Sequence, residues 1–341
     1  MFKRFALPLA LAVVLMAATS PTAPTHKVTG VNWVSPPKPV KDDCFTYLDE
    51  ISAGWVALNP FAFGEPGNPR LAHDLKWQWW GEKKEGTRKM AKLAKNEGLK
   101  VCIKPHIWVK GDGWPGDFTL DSEAKWRIWE KDYKDYVMGL LDVAIEENVE
   151  MFALGTEVRV AARERPNFWR HLIRTIREKY DGKLTYAANW DNYASVPFWD
   201  ELDYIGVDCY FPLVDDPNPE VKDIVAAWKP YVAELEAFSK RFGKPILFTE
   251  YGYRSVPRTT WKQWEIEEHW NFDGESHEEA QLRAYEGIFQ AFWQKEWCAG
   301  GFLWKWYDDH ANAGGDNNTD YTPQNKAASA TIKDWYSGKK N

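Results

Sequence analysis

Eight short stretches of the chain are apolar on both faces, rich in Val, Ile, Leu and aromatic residues, and each runs into polar loop residues. Such runs read as buried parallel strands. They are KVTGVNWV (27–34), GWVALNPFAF (54–63), LKVCIKPHIWV (99–109), MFALGTEV (151–158), KLTYAANW (183–190), LDYIGVDCYF (202–211), PILFTEYGY (245–253) and AGGFLWKWY (299–307). Helical patterns lie between most of them, at 84–97, 122–147, 167–180, 220–242 and 277–296, with a last one at 324–336. The segments after the first and fifth strands carry weaker helical patterns. Gly98 and Gly243 close two helices just before a strand, the usual left-handed stop. Strands alternating with helices predict a parallel sheet, and eight units predict one (β/α)8 TIM barrel, an α/β fold. A doubly wound open sheet is the alternative, but no Gly-rich phosphate turn follows the first strand. No repeat, linker or low-complexity tract divides the chain, so residues 26–341 read as one catalytic-sized domain.

The first 25 residues are set apart. Lys3 and Arg4 precede an apolar run from Phe5 to Ala18, too short for a membrane span and flanked like a secretory signal. The expectation is a secreted or periplasmic protein with no membrane segment in its mature form. Export permits disulfides, yet Cys102 and Cys209 sit inside strand runs, so Cys44, Cys102, Cys209 and Cys298 read as buried free thiols. The net charge of −7 is spread in mixed acids and bases, which excludes the basic stripe that nucleic acid requires. The aromatic content of 21 Trp, 15 Tyr and 17 Phe exceeds what the core patterns use, and many rings stand in Gly-, Pro- and Asp-containing loops such as WQWWGE and KGDGWPGD. Flat rings with polar tips suit ligands that have apolar faces and hydroxyl edges, as sugars do.

In a barrel of this kind chemistry sits where the strands end. The residues there are Trp33, Asn59, His106, Trp108, Glu157, Asn189, Trp190, Asp208, Tyr210, Glu250, Tyr253, Trp304 and Trp306. Glu157 ends the fourth strand and Glu250 the seventh, each after a threonine. Strands three steps apart face each other across roughly 14 Å of an eight-stranded barrel. Two inward glutamates then leave a gap of roughly 5 Å, the spacing of a retaining glycosidase rather than the wider one of an inverting enzyme. The plain alternative is that each glutamate pairs with a barrel lysine such as Lys104 or Lys305.

The segments KPHIW, LGTE, TYAANWD, LDYIGVDCYFPL, KPILFTEYGY and GGFLWKW, in order from the third strand to the eighth, resemble glycoside hydrolase family 113, the endo-β-1,4-mannanases among the retaining (β/α)8 glycosidases. The likeness spans nearly the whole mature chain. It implies Glu157 as general acid/base and Glu250 as nucleophile, acting on a polysaccharide or oligosaccharide without a cofactor. Much of the wider clan has Asn before the acid/base. Thr156 stands there in this chain, as it does in family 113 itself.

The remaining candidates are substrate-binding. Tyr210 suits a hydrogen bond to the nucleophile, and Asn189 and Trp190 a hydroxyl contact and a stacking face. Trp304 or Trp306 suits a platform beneath the sugar, because Trp304 and Lys305 are adjacent and only one can readily point inward. Trp33, Asn59, Lys104, His106, Trp108, Asp208 and Tyr253 complete the set. Trp80, Trp114, Trp261, Trp264 and Trp270 read as liners of outer subsites or as pins for their own loops. No His-x-His or His-Glu-x-x-His occurs, and the loop YDDHANAGGDNNTD (307–320) lacks EF-hand spacing, so no metal is expected in catalysis. The rival readings are another β-glycan such as β-glucan, an exo-acting β-mannosidase, a non-catalytic carbohydrate-binding barrel and a metal-dependent hydrolase. No protein partner is implied.

Overall fold

Two of the eight apolar runs are cut by proline, and the cuts shape the mouth of the barrel. The computed structural model describes residues 27–111, 113–267 and 272–340; the expected export signal and Trp270 lie outside them. Among the described residues the strands are β1 (Val28–Trp33), β2 (Trp55–Leu58), β3 (Phe61–Gly64), β4 (Lys100–Ile103), β5 (His106–Val109), β6 (Met151–Thr156), β7 (Lys183–Asn189), β8 (Ile205–Asp208), β9 (Ile246–Tyr251) and β10 (Cys298–Trp306). Eight of them close a parallel barrel in the order β1-β2-β4-β6-β7-β8-β9-β10, with β10 returning to β1. The runs predicted as single strands over 54–63 and 99–109 each break in two, because Pro60 and Pro105 bring no N–H to the ladder. Beyond the break β3 and β5 leave the barrel and pair with each other, starting at Phe61 opposite His106, with Phe63 also bridging Ala72. The His106 N–H donates to the Pro60 carbonyl at 2.9 Å and joins the two breaks.

The helices are α1 (Lys84–Asn96), α2 (Glu123–Glu146), α3 (Arg159–Glu164), α4 (Pro166–Arg177), α5 (Val221–Phe242), α6 (Glu278–Phe292) and α7 (Ala328–Tyr336). Where the helical pattern is weak, after β1 and β7, the chain makes 3-10 turns at Thr46–Ile51, Tyr193–Ser195 and Trp199–Glu201. Gly98 and Gly243 are left-handed, at φ 77° and 63°. Among the described residues no helix is long and apolar enough to cross a membrane. All four cysteines are buried and free.

Much of the aromatic excess goes into the layer between barrel and helices, not into the loops. Trp129, Trp169, Trp199 and Trp228 are fully buried, and a ring so placed is worth about 3–5 kcal/mol against alanine. One of these contacts reaches toward the mouth. Tyr133 on α2 donates its hydroxyl to the Leu154 carbonyl of β6 at 2.8 Å. A Cβ on Gly155 would lie 2.0 Å from that oxygen, so glycine is required two residues before Glu157.

Inside the barrel, Val28, Ala57, Cys102, Met151, Leu247, Ala299 and Phe302 form an apolar floor. Above it the side chains turn polar. Asn32 donates to the carbonyls of Thr249 and Phe302, both at 3.1 Å.

Candidate active site

Above the floor lies a cavity of about 790 Å3 lined by Trp114, Glu157, Asn189, Trp190, Asp191, Tyr210, Glu250, Gln263, Trp264 and Tyr321. Both strand-end glutamates open into it. Each arrives there by an irregularity of its strand. The pairing of β6 with β7 slips between Ala153 and Thr156, and Glu157 then takes a left-handed backbone at φ 52°. For a residue other than glycine this costs on the order of 1 kcal/mol. Its N–H is held by the Ala187 carbonyl at 2.8 Å. The β8–β9 register slips between Val207 and Asp208, so Asp208 faces Glu250 and Thr249 is the extra residue. Consecutive residues of β9 thereby reach partners of the same cluster: the Thr249 hydroxyl bonds Asp208 Oδ1 at 2.7 Å, and Glu250 meets Lys104. A side chain on Gly252 would strike the Trp304 carbonyl 2.3 Å away, so glycine lets β9 close on β10 just past Glu250.

The two carboxylates meet different surroundings. Glu250 is buried, with Oε1 against the Lys104 ammonium and Oε2 accepting from the Tyr210 hydroxyl at 2.8 Å. The reading in which a barrel lysine pairs with it is thus correct for Lys104, while Lys305 sits 3.4 Å from Asp320 instead. Among the described residues Glu157 meets no such cation directly. It accepts one hydrogen bond, from Trp114 Nε1 at 2.8 Å. Burial first, and then the charge of Glu250, push its pKa up to about 7, against the pull of Trp114 and Lys104.

Around them, burial and then the Glu250 charge hold Asp208 well above the usual carboxylate range. Burial and then Lys104 hold His106 well below the usual histidine value. Its ring is therefore neutral, and the 3.9 Å approach of Nε2 to Glu250 is no ion pair. Burial and then Glu250 keep the Tyr210 phenol protonated. A charged carboxylate and a protonated one on opposite walls of one cavity are equipped for nucleophilic attack on one side of a bond and proton delivery on the other.

A second cavity, of about 700 Å3, opens where β3 and β5 extend the wall; Asn59, Phe61, Phe63, Trp77, Trp79, Trp108, Trp304 and Lys305 are among its liners. Trp77, Trp79 and Trp108 are 68%, 50% and 58% exposed. Trp304 borders the second cavity, with its ring 6.3 Å from that of His106 and the Lys104 ammonium above it at 5.3 Å.

The structure brings Glu157, Glu250, Asn189, Trp190 and Tyr210 to the first cavity, and Asn59, Trp108 and Trp304 to the second. Asp208 and His106 lie beneath the first as buried members of its charge cluster. Trp33 reaches the second cavity only at its edge, and two further candidates, Tyr253 and Trp306, are corrected. Asn32 faces the lumen, so its neighbour Trp33 points outward and packs on Phe45 at 4.3 Å; the ring edges the second cavity but has no exposed surface. Tyr253 packs on Tyr285 of α6, and Trp306 against His310, both buried and lining neither cavity. Trp304 and Lys305 both border the second cavity, contrary to strict alternation, because the β1–β10 register slips between Asn32 and Trp33 at that level. Asp191, Gln263 and Tyr321 were missed; they stand on loops and, for Gln263, a three-residue 3-10 turn, with no periodic pattern. Trp114 and Trp264, read as liners of outer subsites or pins for their own loops, both line the first cavity, and the bond from Trp114 to Glu157 crosses 43 residues of sequence. Among the described residues no group of three or more His, Cys, Asp or Glu could hold a metal ion.

A closed parallel barrel with carboxylates from its fourth and seventh strands facing one open, tryptophan-lined cavity is the architecture of a barrel glycoside hydrolase. Residues 39–326 match the family model of Glycoside Hydrolase Family 113. The chain belongs to glycoside hydrolase family 113 and is a glycoside hydrolase. Among solved structures it is similar to the GH113 beta-mannanase AaManA from Alicyclobacillus acidocaldarius in complex with ManMIm, at 25% identity and a TM-score of 0.80 over 92% of this chain and 98% of that one. A GH113 beta-1,4-mannanase complex gives 22%, 0.78, 92% and 99% in the same order. The Faecalibacterium prausnitzii beta-glucuronidase shares the fold at 14% identity and a TM-score of 0.62, over 94% of this chain and 51% of its own. Among proteins of curated function no match to the chain was found.

Proposed function

We propose that this enzyme hydrolyses internal β-1,4-mannosidic bonds of mannan and manno-oligosaccharides by double displacement with retention. One observation carries the reading: two glutamates share a cavity, one braced by a cation and a phenol, the other pushed up to about 7. Glu250 attacks the anomeric carbon while Glu157 protonates the departing oxygen. Glu157, now a carboxylate, then takes a proton from the water that releases the sugar. The mannan preference draws on the similar solved structures, which include beta-mannanases. The second cavity beyond Trp304 supports internal cleavage, since it offers room for a chain longer than the glutamate-lined cavity alone can hold. Asn189, Trp190, Trp108 and Trp304 are the hydroxyl contact and stacking faces of this reading.

The test is hydrolysis of mannohexaose followed by proton NMR. The expected first product is β-configured, released as shortened oligomers rather than as mannose alone, with cellohexaose left intact. A first product in the α configuration would overturn retention. Mannose as the sole early product would replace the endo reading with an exo one.

A further inference from the structure

Three carboxyl groups crowd the barrel mouth, and among the described residues one cation, Lys104, touches them. Glu157 bonds Trp114, Asp208 bonds Thr249 through Oδ1 and finds no partner for Oδ2 among the described residues, and Glu250 meets Lys104 and Tyr210. Three acids in one buried cluster do not ionise together. Their arrangement must decide which one carries the charge.

Lys104 is placed to decide it. It follows β4 directly, and its N–H donates to the Leu58 carbonyl at 2.8 Å, while Pro105 ends the ladder behind it. The side chain is 1% exposed, lies over the Trp304 ring and touches Glu250 Oε1. An ammonium so enclosed is shielded from water, and its attraction for the nearest carboxylate is correspondingly strong.

We propose that Lys104 is a positioning residue that assigns the single negative charge of this three-carboxyl cluster to Glu250, leaving Glu157 and Asp208 protonated. The inference rests on the reading of Glu250 as nucleophile and Glu157 as acid, and it names what keeps those roles from being exchanged. The groups facing Glu250 are Lys104, His106, Tyr210, Asp208 and Glu157, with Asp191 acting on Glu157 from the loop after β7. His106 is neutral and Tyr210 protonated, so Lys104 is the positive charge among them. The raised values of Glu157 and Asp208 agree, each with the Glu250 charge as its second cause.

The experiment compares pH profiles of kcat/KM on mannohexaose for the wild type and for Lys104→Met, Lys104→Arg and Asp208→Asn. Without the ammonium, the Tyr210 hydrogen bond is what remains to favour the ionised form of Glu250. The acid limb of Lys104→Met therefore moves up by at least one pH unit, and Lys104→Arg keeps it in place. Asp208→Asn removes a group that is already neutral, so its acid limb stays within about 0.3 unit. A purely structural lysine would lower kcat without moving the limb. A folded Lys104→Met enzyme with the wild-type acid limb overturns the proposal. So does an Asp208→Asn limb displaced downward by a unit or more, which decides the matter even if Lys104→Met fails to fold. Glu250→Ala serves as the control on the underlying reading. If azide rescues that variant while the Lys104→Met limb is unmoved, only the inference about Lys104 is lost; if azide does not rescue it, the nucleophile assignment itself fails.

Discussion

Glu250→Ala loses about 10⁵-fold in kcat on manno-oligosaccharides, because a nucleophile fixed beside the reacting carbon is worth an effective concentration of that order or more. The loss is chemical and not a failure to fold, since alanine at this position removes one buried carboxylate and leaves β9 paired with β8 and β10. Lys104 then keeps its charge without its partner, so some stability is lost as well. Adding azide to the alanine variant, with an activated aryl β-mannoside, should restore turnover. The small anion occupies the space of the missing carboxylate and attacks from the same face, giving an α-mannosyl azide. A β-mannosyl azide from Glu250→Ala would mean that the two glutamates have each other's roles.

The second large effect belongs to Glu157 and to pH. Its carboxyl must hold a proton to deliver one, and with a pKa of about 7 that proton is lost as pH rises through neutrality. The basic limb of kcat/KM should therefore fall near pH 7, far above the range of an ordinary glutamate. Glu157→Ala abolishes this limb and lowers turnover of natural substrates by about 10²–10⁴-fold. Aryl mannosides with good leaving groups lose much less in the first step, since they need no proton. Trp114 provides a finer check. Its N–H bond stabilises the ionised form of Glu157, so Trp114→Phe should move the basic limb upward while the acid limb stays where it was. An unchanged basic limb in both Glu157→Ala and Trp114→Phe would remove Glu157 from the proton transfer.

The parts of this arrangement that sequence made legible are the local ones. A buried strand announces itself by an unbroken apolar run, and a polar residue closing it marks the barrel mouth; that was enough for Glu157, Glu250 and Tyr210. Gly98 and Gly243 marked helix ends because few other residues accept a left-handed backbone. The misreadings arise where one strand departs from its period. Trp306 was offered as a platform beside a register slip that alternation cannot anticipate, and only one of Trp304 and Lys305 was expected at the cavity for the same reason. Pro60 and Pro105 were visible in the sequence and sufficient to predict the broken strands, yet the apolar runs around them outweighed that signal. The liners Gln263 and Tyr321 belong to loops whose positions are set by tertiary contacts, such as the bond between Gln281 of α6 and the Tyr321 carbonyl at 3.0 Å. No local pattern encodes those.

The left-handed backbone at residue 157 sets folding against work. Glycine would relax that conformation, and it would also spare the native state from withholding a proton that the unfolded chain gives up. A carboxyl raised in the folded state weakens the fold as pH climbs from its unfolded value of 4.5 toward about 7. The inactive Glu157→Gly protein should accordingly melt above the wild type, by a margin that widens between pH 5 and pH 7 in calorimetry. A lineage no longer selected for sugar cleavage would drift toward sturdier, silent barrels at this codon first.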